Sequence, residues 1–338
     1  MCKKKIALDK IVKLAADDAL SEPTGAPARD LGAPCRNQQA ILILGMHRSG
    51  TSVLTRVINL LGVDLADHLM TPNWDNEAGY WESFELAQIH DDLFALLGSS
   101  WDDLLPIDES WLASPIGNDY KAILGAYLLK QFSYSPCFAI KDPRMCRFIP
   151  LWLDVLKTLK VQVKVVIPYR HPVEVAKSLE KRDLFLWEKT FLVWLRHILA
   201  AEFHTRGLKR CFVNYGDLLQ EPGQTMARIS KQCAIAWPNS SPEVMAAALA
   251  AIEPTYYHQR MPATDAVFAG FSELIPRAYR AVGKLRLRSD NKQALAQLDA
   301  ISECLCQADK LYQAIIIDKN NDIQYLFDAY NSDGEPSE

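Results

Sequence analysis

The chain has 338 residues, of which 49% are hydrophobic and 23% are charged, a composition that allows a large buried core and excludes a disordered chain. Its 37 basic and 41 acidic residues leave a net charge of −4, which excludes a general positive field that would attract nucleic acid. Any anionic ligand must therefore be held by a local group of basic side chains and backbone N–H groups.

Residues 1–38 are predicted to form a mobile lead-in, because they are poor in aromatic residues and carry Pro, Gly and Ala between 22 and 28. The first residues are basic without an apolar stretch behind them, and no segment approaches the roughly 18 apolar residues of a membrane span. The eight cysteines are scattered without a C-x-x-C pair or a nearby histidine cluster. Thiols in a reducing compartment are therefore favoured over disulfides or a metal site, and a cytoplasmic protein is expected.

Short apolar runs predict buried strands, and helical spacing predicts the segments between them. The strands are expected at 40–44, 137–140, 163–167 and 211–213. The helices are expected just after the first strand, near 84–97, 118–132, 147–158, 172–182 and 188–206, and from about 241 onward. This alternation predicts an α/β, P-loop-like three-layer fold with a central parallel sheet flanked by helices, plus a helical C-terminal portion.

A glycine loop joins the first predicted strand to the first helix. Gly45 and Gly50 stand five residues apart and are followed by Thr51 and Ser52. Such a loop directs successive backbone N–H groups into one concavity, and the helix N-terminus adds a partial positive charge. The loop therefore predicts an anion site, with His47 and Arg48 as further donors. The alternative is a strand–turn–helix that needs its glycines for geometry alone.

The loop departs from the nucleotide-triphosphatase pattern G-x-x-x-x-G-K-[ST], since Thr51 occupies the lysine position. A kinase or GTPase needs that lysine on the β- and γ-phosphates and an acidic side chain for Mg²⁺. Without the lysine, the loop suits a 5′-phosphosulfate, whose transferred group carries one negative charge less than a γ-phosphate.

A second anion site is predicted where the strand at 163–167 ends. Arg170 closes this strand at the edge where α/β sheets bind ligands, and Ser178 follows about two turns into a helix that starts near Pro172. A guanidinium and a hydroxyl together suit a phosphate group. Taken alone, Arg170 also fits an ordinary surface ion pair.

The two motifs G-M-H-R-S-G-T-S and Y-R-H-P-x5-S together resemble the superfamily of sulfotransferases that use PAPS (3′-phosphoadenosine 5′-phosphosulfate), and the loop is nearest to bacterial members. The likeness covers roughly residues 40–220. It implies that the 5′ end of the donor is held by Arg48, Ser49, Gly50, Thr51 and Ser52. It also implies that Arg170 and Ser178 hold the 3′-phosphate, with PAP as product and no metal. Whether His47 or Arg48 steadies the bridging oxygen stays open.

Candidates for the chemistry lie in two further segments. Residues 73–82 combine two Trp and a Tyr with acids and amides, a mixture suited to sugar stacking. Glu82 is the first choice for the general base and Glu77 the second. The resemblance also implies a glutamate base in this part of the chain, and either position fits it. The alternative makes Glu82 a helix N-terminal charge. Lys141, at a predicted strand end, is expected to stabilise charge on the transferring group, unless Asp142 and Arg144 merely fix that turn.

The sequence thus predicts a sulfotransferase that moves a sulfuryl group from PAPS to an acceptor hydroxyl by in-line transfer with a carboxylate base. The acceptor is expected to be a small molecule or glycan, with a carbohydrate or glycolipid favoured and a protein tyrosine or small phenol as the alternative. The catalytic domain is expected over 39–262, a helical C-terminal extension over 263–330 and an acidic tail over 331–338. Two alternatives remain, a P-loop small-molecule kinase using ATP and Mg²⁺ and a non-catalytic nucleotide-binding protein. The oligomeric state is left open.

Overall fold

The computed structural model describes residues 34–73, 79–252, 268 and 270–332. The strands are β1 (Gln39–Ile43), β2 (Cys137–Lys141), β3 (Gln162–Tyr169) and β4 (Lys209–Asn214). The helices before β3 are α1 (Thr51–Leu60), α2 (Phe84–Leu97), α3 (Pro115–Phe132) and α4 (Ile149–Thr158). The next four helices, which follow β3, are α5 (Pro172–Asp183), α6 (Trp187–His204), α7 (Tyr215–Gln220) and α8 (Pro222–Cys233). The chain then forms α9 (Pro242–Ala250), α10 (Leu274–Leu287) and α11 (Lys292–Ser332), and short 3-10 helices lie at Glu109–Ala113 and Pro143–Arg147.

The four strands form one parallel sheet in the order β2-β1-β3-β4. The first strand is central, and its residue Ile43 lies in register with Lys141 of β2 and Val166 of β3. Because all strands run in the same direction, their carboxyl ends meet at one edge of the sheet. That edge receives the glycine loop and the segments that follow the other three strands.

Alternate side chains of each strand enter two different cores. In β1, Ala40 and Leu42 face the core that contains α3, α4 and α6, whereas Ile41 and Ile43 face the core that contains α1 and α8. Successive side chains of a strand point to opposite faces, so a sheet covered on both sides needs uninterrupted apolar runs. The structure confirms the predicted α/β fold of a central parallel sheet flanked by helices.

The predicted strands are confirmed, and the helix predicted at 84–97 begins and ends as expected. Ser83 caps α2 by accepting a hydrogen bond from the N–H of Leu86, and Gly98 ends it in the left-handed conformation. The helices α7 and α8 were not predicted, because Gly216, Pro222 and Gly223 break the apolar pattern there. In α8, Pro222 occupies the first turn, where a missing N–H costs nothing.

Two of the predicted boundaries fall near the ends of the described chain. Within the predicted lead-in, the N–H of Cys35 bonds the carbonyl of Ser133 at 2.8 Å, and the Gln38 side chain bonds that of Ser135 at 2.9 Å. At the other end, α11 runs through Ser332, two residues into the predicted tail. Residues 1–33 and 333–338 lie outside the described residues. Among the helices described, none has the length and apolarity needed to cross a membrane.

The helices of the predicted C-terminal extension share a core with the sheet. Buried side chains of α10 and α11, including Val282, Leu285 and Leu298, belong to the same apolar cluster as Leu42 of β1 and Phe212 of β4. Burial of this kind stabilises by roughly 25 cal/mol per Å² of apolar surface. The C-terminal helices therefore contribute to the stability of the sheet that carries the site.

Candidate active site

The glycine loop after β1 is shaped by two close approaches of the backbone. A Cβ atom on Gly45 would lie 2.7 Å from the carbonyl oxygen of Pro168 in β3. A Cβ atom on Gly50 would lie 2.2 Å from the ring of Tyr215, and Gly50 has a φ of +86°. Side chains are excluded at both positions, so the glycines serve the loop's path between β3 and α7.

The N-terminus of α1 opens onto this loop. Gly50 is its N-cap residue, so no side chain caps the first turn, and that turn carries no acidic residue. Thr51 and Ser49 are buried at the turn. Uncapped N–H groups and the helix dipole favour a bound anion at such an end. The arrangement fits the phosphate-binding role predicted for residues 48–52.

The two predicted anion sites touch each other. The Arg48 backbone is left-handed, with a φ of 66°, and its Nε donates a hydrogen bond of 2.7 Å to the Oγ of Ser178 on α5. Nη1 of Arg170 donates to the carbonyl oxygen of Arg48 at 3.4 Å. We call the group formed by Gly45, Arg48, Gly50, Arg170 and Ser178 the cradle.

Arg170 is buried where β3 meets α5. Its Nε donates to Glu174 Oε2 at 2.8 Å, and its guanidinium lies 4.8 Å from the ring centre of Tyr215. The same ring packs against Gly50. Arg170 therefore forms an ion pair, but the pair is buried beside the loop and is not the surface ion pair of the alternative interpretation.

The end of β2 brings a lysine and a glutamate together next to the loop. Lys141 Nζ is ion-paired with Glu82, bonds the carbonyl of Tyr80 at 2.8 Å, and lies 3.3 Å from the hydroxyl of Ser52. The side chains of Lys141 and Glu82 are only 2% and 4% exposed. Burial raises the pKa of Glu82, although the charge of Lys141 opposes the rise.

A chain of hydrogen bonds and ion pairs leads from Trp152 to Glu82, the partner of Lys141. Trp152 Nε1 donates to His90 Nε2 at 2.9 Å, and His90 Nδ1 lies 2.9 Å from Asp142. Because the indole N–H is only a donor, His90 carries its proton on Nδ1 and donates it to Asp142. Arg144 reaches both Asp142, at 3.2 Å, and Glu82, at 3.5 Å.

We call the group formed by Glu82, His90, Lys141, Asp142 and Arg144 the β2 network. Burial by itself would raise the pKa of Asp142, but the hydrogen bond from His90 and the charge of Arg144 hold that pKa well below its ordinary range. Asp142 is therefore an ionised anchor for Arg144, which contacts Glu82 in turn. Asp142 thus pairs with Arg144 and fixes the turn, as the alternative for this segment expected, while Arg144 also contacts Glu82.

His47 is a residue of the glycine loop that stands near several cations. Its Nε2 is buried without a hydrogen-bond partner in the described part of the chain, and its ring centre is 4.3 Å from that of Trp101. Burial and then the charges of Arg182, Arg144 and Lys141 place the pKa of His47 well below its ordinary value. His47 is therefore neutral at pH 7, and the positive charge near it belongs to its neighbours.

The structure brings most of the predicted site residues to one edge of the sheet. Those at this edge are His47, Arg48, Ser49, Gly50, Thr51, Ser52, Glu82, Lys141, Arg170 and Ser178. Glu77, the second candidate base, lies outside the described residues. Sequence reasoning missed Trp101 and Arg182. Arg182 stands four residues after Ser178, so helical spacing on α5 was the pattern that could have revealed it.

Comparison with solved structures returns sulfotransferases. The sulfotransferase domain of the olefin synthase from Synechococcus PCC 7002 is 19% identical with a TM-score of 0.37, covering 70% of this chain and 88% of that one. Sulfotransferase STF9 from Mycobacterium avium is 14% identical with a TM-score of 0.39, covering 67% and 70%. Mouse sulfotransferase SULT7A1, solved in complex with PAP, is 12% identical with a TM-score of 0.36, covering 81% and 91%.

No family model matches the chain. No curated protein matches it either. With identities of 12–19% in the three pairings above, the roles of individual residues have to be deduced from this chain's own contacts.

Proposed function

We propose that the protein transfers a sulfuryl group from PAPS to an acceptor hydroxyl. The observation that carries this proposal is the contact between the two anion sites, in which Arg48 of the glycine loop bonds Ser178 and its carbonyl accepts from Arg170. Two groups of donors at adjacent strand ends suit a nucleotide with phosphates at two positions. PAPS and PAP differ from ATP in this respect, because they carry a 3′-phosphate.

The residues present fit this donor. Gly45 and Gly50 leave backbone where side chains would clash, and the uncapped end of α1 offers N–H groups to the 5′-phosphosulfate. In the proposal, residues 48–52 hold that end, whereas Arg170 and Ser178 hold the 3′-phosphate. The ring of Tyr215, packed against Gly50 and Arg170, keeps the two parts in place. When bound, PAPS supplies a sulfuryl group attached to a phosphate leaving group.

Within the β2 network, Glu82 is proposed as the general base and Lys141 as the stabiliser of negative charge. A hydroxyl is a poor nucleophile until a base accepts its proton, and a buried carboxylate with a raised pKa is suited to that task. Lys141 Nζ lies 3.3 Å from Ser52 Oγ, so its charge borders the group that the loop holds. Glu82 takes the proton, Lys141 compensates the charge, and Arg144 orients Glu82.

His47 is proposed to act as a neutral hydrogen-bonding group of the loop. Its unpartnered Nε2 can bond an oxygen or a hydroxyl. Burial and then the charges of Arg182, Arg144 and Lys141 lower the pKa of His47 and favour the uncharged ring. The positive charge beside the bound phosphosulfate comes in this proposal from Arg48 and Lys141.

The acceptor is proposed to be a carbohydrate hydroxyl, on a glycan or a glycolipid. Tyr80 and Trp81 directly precede Glu82 and are half-buried, and Trp81 holds a left-handed backbone with a φ of 59°. A bulky residue in that conformation costs of the order of 1–3 kcal/mol, so the surrounding structure fixes it there. An aromatic side chain held next to the base suits the apolar face of a sugar ring.

Calorimetric titration tests the donor class. We expect PAP to bind at least 100-fold more tightly than adenosine 5′-phosphate, because only PAP engages both parts of the cradle. The variant Ser178→Ala should narrow this ratio by about tenfold, the effect of losing one hydrogen bond to a charged group. Ser241→Ala, at the cap of α9, is the matched control and should leave the ratio unchanged. Equal affinities for the two nucleotides, or transfer from ATP with Mg²⁺, would overturn the proposal.

A further inference from the structure

A cleft of about 260 Å³ lies on the side of α6 that faces α11. Its remaining walls are the segment 106–112 and the stretch from Cys146 to Leu151. We call it the α6–α11 cleft. Among the described residues, its lining includes no member of the cradle or the β2 network.

The walls of the cleft are mainly apolar and aromatic. Trp111 and Phe148 meet edge to face with ring centres 6.0 Å apart, and Leu199 and Leu305 line the opposite side from α6 and α11. An open apolar cleft of this kind favours a ligand with an apolar part, because burying that part removes it from water.

Two guanidinium groups line the same cleft. Arg196 on α6 is 92% buried by side-chain area and pairs through both terminal nitrogens with Asp309 of α11, while its Nε is buried without a partner in the described part of the chain. Arg147 has different partners. Its Nη2 and Nη1 donate to the carbonyl oxygens of Leu105, at 2.6 Å, and Asp103, at 3.4 Å.

Of the two guanidinium groups, Arg196 has a carboxylate partner within ion-pair distance, whereas Arg147 receives only the more distant charges of Asp103 and Asp102. Backbone carbonyls satisfy its hydrogen bonds, but among the described residues no carboxylate lies within ion-pair distance of it. Burial and then the nearby charge of Arg196 lower the pKa of Arg147 to about 10. A partly buried cation in this position favours an anionic group of a ligand.

The two acidic residues that line the cleft pair with other residues of its lining. Asp309 is held by both terminal nitrogens of Arg196, and Glu109 pairs with His204 at 3.2 Å with more than half of its side chain exposed to solvent. Near Arg147 the cleft therefore carries positive charge that the carboxylates of Asp103 and Asp102 offset only in part, whereas Glu109 stands at the rim.

We propose that the α6–α11 cleft binds a small amphipathic anion, with its apolar part between Trp111, Leu199 and Leu305 and its acidic group on Arg147. Pockets for drug-sized ligands are about 300–1,000 Å³, so a cleft just below that range fits a medium-length alkyl chain or a single ring system. A carboxylate or a sulfate ester would satisfy the guanidinium equally, because both are compact oxyanions.

Titration calorimetry with eight-carbon probes tests this assignment in the absence of PAPS and of any sulfuryl acceptor. Octyl sulfate, below its micellar concentration, should bind at one saturable site. Octanol should bind at least tenfold more weakly, and octyltrimethylammonium should not bind measurably. Octanoate serves as a fourth probe, and its binding alongside octyl sulfate would show recognition of an oxyanion in general. Equal binding of octyl sulfate, octanol and the cation would overturn the proposal.

Two variants locate the site. Ala200→Trp fills the cleft from α6 and keeps both cations, so it should abolish octyl sulfate binding. Arg147→Gln, with circular dichroism to confirm folding, should weaken octyl sulfate at least tenfold and leave octanol unchanged. Arg288→Gln removes an exposed cation outside the cleft and is the charge control. Unchanged octyl sulfate binding in Ala200→Trp would place the anion elsewhere and refute the proposal. Since no nucleotide is present, this result is independent of the sulfotransferase assignment.

Discussion

The cradle and the β2 network stand at the same edge of the sheet, but different kinds of contact connect the strands, helices and loops in each. In the cradle, the glycine loop is joined to α5 and to the end of β3 through a serine hydroxyl and a backbone carbonyl. In the β2 network, the end of β2 is joined to its neighbours through two carboxylates, Glu82 and Asp142, which contact Lys141, Arg144 and His90.

This difference predicts which region can give up internal hydrogen bonds in favour of a bound phosphate. Phosphate oxygens can replace a hydroxyl or a carbonyl as acceptors without leaving a buried charge unpaired. A member of the β2 network cannot be removed in that way, since its partner would keep a buried charge with no compensation. We therefore expect substitutions of Ser178 in the cradle mainly to change ligand affinity, whereas substitutions in the β2 network should change turnover and stability.

The largest effect is expected for Glu82→Gln. This change keeps the shape of the side chain but removes the base, so kcat should fall by about 10²–10⁴-fold while the affinity for PAP changes less than twofold. Steady-state kinetics with an acceptor, together with PAP calorimetry, measure both quantities. A fall in kcat of less than tenfold would move the base elsewhere, and Glu77→Gln is then the variant to assay.

Lys141→Met should be the most destabilising of the variants considered. It leaves Glu82 buried with Arg144, at 3.5 Å, as its remaining cation in the β2 network. The free energy of unfolding, measured by urea denaturation, should fall by about 3–5 kcal/mol. The exposed Lys157→Met on α4 is the control and should change it by less than about 0.5 kcal/mol.

A second substitution separates charge from packing in that result. Adding Glu82→Gln to Lys141→Met removes the buried carboxylate that has lost its lysine partner. The double variant should therefore be more stable than Lys141→Met alone. If the double variant were less stable than the single one, lost packing of the lysine stem would explain the effect instead of an unpaired charge.

Gly50→Ala tests the cradle against a glycine of matched conformation. Gly207 has a φ of +83°, close to the +86° of Gly50, but a Cβ on Gly207 would meet no atom within 4 Å. Gly207→Ala should therefore cost only the left-handed backbone energy, roughly 1–2 kcal/mol. Gly50→Ala should cost a further 1–3 kcal/mol or so from the clash with Tyr215 and should weaken PAP binding. Equal costs would mean that Tyr215 yields without strain.

The smallest expected effect is a displacement of the pH profile. Because burial raises the pKa of Glu82, its carboxylate takes up a proton at a higher pH than an ordinary glutamate does. As the pH falls, kcat should therefore begin to decline above the usual glutamate value of about 4.3. The dependence of kcat on pH measures this directly. A profile with its acid limb at or below that value would remove Glu82 from the role of base.

Local patterns in the sequence were enough for the strands, the glycine loop and most of the helices. The run from Ala40 to Leu44 predicted β1 because a strand covered on both faces must be apolar throughout. Gly45 and Gly50 marked a turn of special geometry, and Arg170 and Ser178 stood out by their spacing after a strand. Each of these features is a pattern of residues close together in the chain, so it can be recognised from the sequence alone.

The tertiary structure alone decided which strand ends are neighbours and which side chains therefore meet. His90 bonds Asp142 across 52 residues and Trp152 across 62, and Lys141 reaches Ser52 across 89. Trp101 reaches His47 from a loop that no local pattern connects with the site. Such contacts follow from the strand order β2-β1-β3-β4 and from the packing of helices on it. Neither the hydrophobic period nor the residue spacing of one segment contains that information.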